Sequence, residues 1–216
     1  VQELISGYEE NFMPKDTIKE IKHDVASLLH ATKDVSKYKF NLRGLREICP
    51  GIGPSTFTAV FALVETGKTA FLVSTLFGEE GFLSQGAKVL ILGNEEPVER
   101  TALRSVSSFT GMNEDEIIAD PQKAHNIWDV YSSQCVFAGD DEVHTMNELD
   151  RLISQYKPDV VGIDQLDKMQ VVGNFARDDI RLGEIYRSAR SLSKKHSCAI
   201  IGVSQANAEA DGRTVL

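Results

Sequence analysis

Ala62-Leu63-Val64-Glu65-Thr66-Gly67-Lys68-Thr69 is the stretch that decides how this chain folds. It matches G-x-x-x-x-G-K-[ST] except that Ala stands at the first glycine. Phosphate binding of this kind needs a turn between a buried strand and a helix, with backbone N–H groups converging on the anion. It also needs an ammonium for the terminal phosphate oxygens and a hydroxyl for Mg2+. Lys68 and Thr69 supply those groups, and Gly67 removes the Cβ that would block the phosphate. Ala62 and Glu65 count against a full match, because Ala resists positive φ and a carboxylate repels an anion unless it points away. A Gly-Lys-Thr triplet also occurs at ordinary helix starts, so the flanks have to decide. They favour phosphate. Phe57–Val64 is an apolar, β-branched run that predicts a buried strand, and Gly67–Phe77 predicts a helix. The expected nucleotide contacts are Ala62, Glu65, Thr66, Gly67, Lys68, Thr69 and Ala70.

Outward from this loop the same alternation continues. Lys88–Gly93, Gln134–Ala138, Asp159–Asp164 and Cys198–Val203 predict four more buried strands. Between them, Pro97 predicts a helix start at its favoured first position, with Gly111 closing that helix. Thr145-Met146-Asn147-Glu148 is a capping box that opens another helix, and roughly 179–196 predicts a long third one. Strands apolar on both faces and alternating with helices make an α/β fold with a mostly parallel sheet covered on both sides. Residues 1–40 differ in texture. Thr17-Ile18-Lys19-Glu20 caps an amphipathic helix over about 16–30, and the polar stretch Thr32–Lys39 predicts a linker to a core at 41–216.

Composition bounds the alternatives. The chain of 216 residues is long enough for one sizeable core. No run of eighteen apolar residues is present, so no membrane-spanning helix is expected. Cys49, Cys135 and Cys198 form no CxxC pair, which suits a reducing cytosol and argues against structural zinc. The net charge of −9 disfavours a non-specific nucleic-acid glue, yet leaves room for a ring with a few basic loops. A start at Val1 without Met, and an end on Arg213-Thr214-Val215-Leu216, predict a piece of a longer protein.

Strand ends supply the remaining chemistry. Asp164 closes Val160–Asp164, where a carboxylate holds the shell of a Mg2+ whose other partner is Thr69. Glu95 and Glu96 follow the strand Val89–Leu92; acids near a helix start are stabilised by the dipole in any case, but one of them is placed to orient the water that attacks a γ-phosphate. Spacing from the strand favours Glu95. Gln205 ends the fifth strand and is a candidate sensor of the same phosphate, although a solvated Gln and a capping Ser204 explain the pair equally well. Parallel strands put all of these on the carboxyl edge with the loop.

In this order the blocks resemble the DnaB-type replicative helicases, the RecA-like hexameric motors of bacteria and phages. The resemblance covers roughly 41–210 and rests on Asn41–Arg46 with Pro50-Gly51, the Ala-initiated phosphate loop, Asn94-Glu95-Glu96, Ile163-Asp164-Gln165-Leu166 and Val203-Ser204-Gln205-Ala206-Asn207. It implies ATP and Mg2+ as cofactors, with Lys68, Glu95 and Gln205 catalytic and Thr69 and Asp164 on the metal. It also implies single-stranded DNA, a homo-hexamer or heptamer ring, a primase domain or partner, and a cytoplasmic site in a bacterium or phage-infected cell. The helix at 16–30 then corresponds to a linker helix docking on a neighbouring protomer. Loops at 167–178 face the channel in such rings, so Lys168 and Arg177, with Arg213 further on, are the expected DNA contacts. Segment 166–195 carries seven Lys or Arg against four Asp or Glu. A RecA/RadA- or KaiC-like ATPase, and a nucleotide-holding accessory protein without turnover, remain alternatives.

Overall fold

The computed structural model describes Val25, 36–49, 51–139 and 143–206. Of the helix expected at 16–30 only Val25 falls in this set, in helical conformation and exposed; the rest of that helix, and Arg213, lie outside the described residues. The chain divides into two units, 1–33 and 34–216.

In the larger unit, β3 (Phe57–Ala62), β4 (Val89–Gly93), β5 (Cys135–Gly139), β6 (Val160–Asp164) and β7 (Ala199–Gln205) form one sheet in the order β3-β7-β6-β4-β5. Every pairing is parallel, as the two-sided apolar runs require. A two-stranded antiparallel piece, β1 (Tyr38–Lys39) with β2 (Gly51–Ile52), lies beside α1 (Arg43–Ile48). Tyr38 and Phe40 are buried against Phe82 in the main core. The stretch expected as a linker, Thr32–Lys39, thus enters the core at Tyr38, with Phe40 just beyond it, because these aromatics are worth more buried than exposed.

The helices fall on two faces. α2 (Lys68–Phe77), α3 (Val98–Thr110) and α5 (Pro121–Ser132) are joined by one apolar cluster around Leu72, Leu76, Phe77 and Ile91, while the short α4 (Glu114–Ala119) between α3 and α5 buries none of its residues. α6 (Met146–Tyr156) and α7 (Asp178–His196) cover the other face around Leu149, Ile163, Ile185 and Ile200. The Thr145–Glu148 capping box forms as expected, and Gly111 closes α3 at φ 69°. Pro97 caps α3 from just outside rather than occupying its first turn. The expected strand Phe57–Val64 ends at Ala62, since the chain must turn there toward α2.

Two glycines set the layer spacing. A Cβ on Gly162 of β6 would lie 2.5 Å from Leu76 and 3.4 Å from Leu72, so α2 rests directly on that strand. A Cβ on Gly202 of β7 would lie 2.7 Å from Leu166, whose short 3-10 turn (Leu166–Lys168) sits on the opposite face. Both bring functional segments closer to the sheet than any larger residue permits.

Candidate nucleotide site

The loop after β3 is built around one carbonyl. Leu63 O accepts from Thr66 Oγ1 at 2.7 Å and from Lys68 Nζ at 2.9 Å, which folds the ammonium across the turn and leaves Lys68 8% exposed. Glu65 takes a left-handed φ of 60° and is exposed, and Gly67 takes φ 87° at the start of α2. That conformation, more than crowding, is why glycine is needed at 67. Ala62 needs no such freedom: it is the last residue of β3, paired with Gln205. No side chain caps α2, so its first N–H groups are left for an anion. Thr66, Gly67 and Ala70 line this exposed turn.

Asp164 meets the same helix. Because Gly162 lets α2 lie on β6, the residue two along that strand faces the first turn, and Thr69 Oγ1 donates to Asp164 Oδ2 at 2.8 Å. Asp164 is 1% exposed and its Oδ1 has no partner. Burial pushes its carboxyl above the ordinary range; the Thr69 hydrogen bond opposes this, the nearby Glu95 and Glu96 charges add to it, and Lys68 opposes it again. Such a group gains from a cation. Among the described residues no cluster of three or more His, Cys, Asp or Glu forms a metal cage. A hydroxyl plus one free carboxylate oxygen suits Mg2+, which takes few protein ligands and completes its octahedron with phosphate and water. The residues present fit the group.

The two acids after β4 part company. Glu96 lies 2.8 Å from Arg104 of α3, an ion pair whose geometry is not that of a hydrogen bond. Glu95 is exposed with no ion-pair partner among the described residues, on the rim beside Asp164. β4 and β6 are neighbours, with Gly93 opposite Asp164, so Lys68, Asp164 and Glu95 share the carboxyl rim. Gln205 lies on it too, exposed, its backbone N–H donating to Asp167 Oδ1 at 3.3 Å.

The proposed DNA residues are less open than their sequence suggests. Arg177 is locked onto Asp179 through two hydrogen bonds at 2.9 and 2.6 Å. Arg181 pairs with Asp178, Arg187 with Glu184 and Lys195 with Asp150. Four of the seven cations are thus held in ion pairs, while Lys168 is exposed and forms no ion pair among the described residues. Sequence reading missed two residues at this rim, Asn94 and Gln165. Both carry a buried side-chain oxygen without a partner, and Gln165 has a left-handed φ of 61°. Nothing in an Asn or Gln at a strand end announces that.

Comparison with known proteins agrees with this fold. The family model described as an AAA domain matches residues 25–211. The replicative DNA helicase DnaB of Pasteurella multocida (strain Pm70) is 25% identical over 176 residues, 76% of this chain and 37% of that protein. Among solved structures, a DnaB-like replicative helicase described with its interactions with primase superposes with a TM-score of 0.68 at 15% identity, over all of this chain and 55% of that one. A second solved structure, described as an ATPase domain, gives 0.67 at 15% identity, over 99% of this chain and 73% of that one. The chain thus spans only about a third of the curated relative and about half of the first of these structures. Its α/β fold is shared with the ATPase cores of DnaB-like helicases, and, matched over most of its length, the chain belongs to the AAA domain family.

Proposed function

We propose that this chain is the ATP-hydrolysing motor of a replicative DNA helicase, working as a ring on single-stranded DNA. The observation that carries the reading is Asp164: a buried carboxylate with one oxygen on Thr69 and the other unanswered, on one rim with Lys68 and Glu95. A structural ion pair would answer both oxygens. A metal–triphosphate site leaves one open.

In this reading the N–H groups of Gly67–Ala70 and the side chain of Lys68 hold the triphosphate, Lys68 exchanging the Leu63 carbonyl for phosphate oxygens. Thr69 and Asp164 hold Mg2+, which when bound offsets charge on the phosphates. Glu95 orients the attacking water and accepts its proton, and Gln205 meets the γ-phosphate from β7. Glu96, tied to Arg104, is a structural residue. The ring of six or seven copies, the primase partner and the DNA track are inferred from the DnaB resemblance. Lys168, Arg177 and Arg213 are the proposed DNA contacts, Arg177 only after release from Asp179.

Steady-state phosphate release tests the reading. Glu95→Gln lowers the rate by about 10²-fold or more while nucleotide binding persists, whereas Glu96→Gln leaves it within about threefold. Equal rates for wild type and Glu95→Gln would instead make the chain a nucleotide-holding accessory protein.

A further inference from the structure

Glu96 adds a third carboxylate to a rim whose chemistry uses two. Gly93 lies opposite Asp164, and Glu95 and Glu96 follow it within three residues. Burial raises the Asp164 carboxyl first, and the charges of Glu95 and Glu96 raise it further, so both acids act on the same rim. In the nucleotide reading Asp164 serves the cation and Glu95 the water. A third carboxylate only repels the phosphates. Lys68 is the cation that opposes these charges at Asp164, and it is already committed to the triphosphate.

Arg104 answers the third charge. A Cβ on Gly93 would lie 2.9 Å from Thr101 Oγ1, so α3 runs close over the end of β4. Arg104, three residues further along α3, reaches back over the link between strand and helix, its Nη1 2.8 Å from Glu96 Oε1. The Glu96 side chain is 17% exposed and that of Arg104 51%. Glu96 Oε1 is buried, and no N–H of Arg104 is aligned on it as a hydrogen bond. The contact therefore acts by charge rather than by a directed bond. Arg104 also shares a surface hollow with Glu114 of α4, yet its ion pair is with Glu96. A half-exposed pair contributes little to stability. What it changes is the field at the rim.

We propose that Arg104 is a positioning residue for ATP hydrolysis: it holds Glu96 and cancels its charge, so that of the three rim acids only Asp164 and Glu95 act on the bound nucleotide. The proposal rests on the nucleotide reading above. The dipole of α3 accounts for an acid ahead of the helix, but it gives Arg104 no part in the reaction.

The test is a charge cycle in the full-length protein: Arg104→Gln, Glu96→Gln, the double variant and Arg104→Lys, with Glu95→Gln as control. Binding of a fluorescent ATP analogue with Mg2+ is measured at low salt and at about 0.5 M salt, beside phosphate release and Tm. Arg104→Gln leaves Glu96 bare, so the analogue binds at least about fivefold more weakly at low salt, about twofold or less at high salt, and kcat/KM falls at least about fivefold. Removing Glu96 as well restores binding and kcat/KM to within about twofold of wild type, and Arg104→Lys, which keeps the charge, stays within the same range. Glu96→Gln alone binds no more weakly than wild type. A double variant as impaired as Arg104→Gln, or a loss that salt does not change, overturns the proposal, since a merely structural pair predicts both. Wild-type binding and kcat/KM in Arg104→Gln overturn it as well. Should Arg104→Gln melt early, Arg104→Met, which keeps the side-chain stem over α3, takes its place under the same criteria. Wild-type phosphate release in Glu95→Gln sinks the nucleotide reading and this proposal with it; a slow Glu95→Gln beside an unrescued double variant sinks this proposal alone.

Discussion

At the amino rim of the sheet Asp150 receives Lys195 at 2.6 Å and His196 at 2.5 Å, while Asp159 accepts the backbone N–H of Lys88 at 3.0 Å and faces Lys37 at 3.5 Å. At the carboxyl rim Asp164, Asn94, Gln165 and Ser204 each keep a buried oxygen that no protein group answers. The same strands run through both rims, so the difference is not one of fold. Unanswered oxygens also occur elsewhere, on Tyr38, Asn41, Thr75 and Thr101, but the carboxylates of the two rims differ: those that only close the structure are paired, and the one where a ligand is to arrive keeps an oxygen free. The two carboxylates show the contrast in their protons. Burial pushes Asp150 up, but hydrogen bonds from Lys195 and His196 outweigh it and hold the carboxyl below its usual range. Asp164 is held above that range by burial and the neighbouring Glu95 and Glu96, against Thr69 and Lys68.

The largest expected effect separates the rims by activity. Asp164→Asn lowers ATP hydrolysis by about 10²-fold or more, yet its nucleotide-free Tm does not fall, because a buried charge with an unanswered oxygen is removed. Asp159→Asn does the reverse: phosphate release stays within about twofold and Tm drops. Were both to lose activity alike, the contrast between the rims would be gone.

Next in size is the contact that aligns them. Gly162→Ala drives a methyl into Leu76 and Leu72 and costs about 1–3 kcal/mol, several degrees in a thermal melt. It also parts Thr69 from Asp164, so KM for Mg2+-bound ATP rises more than kcat falls.

Smaller still is the pH dependence, which takes opposite signs. A depressed carboxyl contributes stability above its unfolded value, about 3.9, and loses it as pH falls through the folded value. Asp150→Asn therefore flattens the acid side of a Tm–pH curve. A raised carboxyl contributes below the unfolded value and loses stability as pH rises through the folded one. Asp164→Asn therefore flattens the loss on the neutral side. Identical changes in the two curves would show that the carboxylates are equivalent. The smallest effect lies on the loop: Asp179→Asn frees Arg177 from its exposed ion pair and tightens oligo-dT binding by less than about threefold, with a steeper salt dependence by roughly one unit.

Much of this was legible beforehand because it depends on local chemistry. The phosphate loop, the Thr145–Glu148 box and Gly111 each act through neighbours a few residues away, and the five strands announced themselves as apolar runs, although the edge strands β3 and β5 are only partly buried. Asp164 and Glu95 could be proposed from strand ends alone. The paired turn Glu114–Ser132 went unread although Asn113 and Glu116 make a complete capping box and Asp120 caps α5; most of its exposed face is polar, which hides the helical period. Strand order, the pairing of Arg177 with Asp179 and the left-handed Gln165 were beyond reach, since each is decided by tertiary packing or by a carboxylate free to choose among cations. Gly162 and Gly202 stand in the sequence as ordinary strand glycines. Only the packed sheet explains them.

The most direct test is a crystal structure of the full-length protein with Mg2+ and a non-hydrolysable ATP analogue. The account predicts the β- and γ-phosphates on the N–H groups of Gly67–Ala70, the Lys68 ammonium moved from Leu63 O to the phosphates, and the cation on Thr69 Oγ1 with its water shell against Asp164. A nucleotide seated elsewhere, with Lys68 still on Leu63 and Thr69 still donating to Asp164, would contradict it.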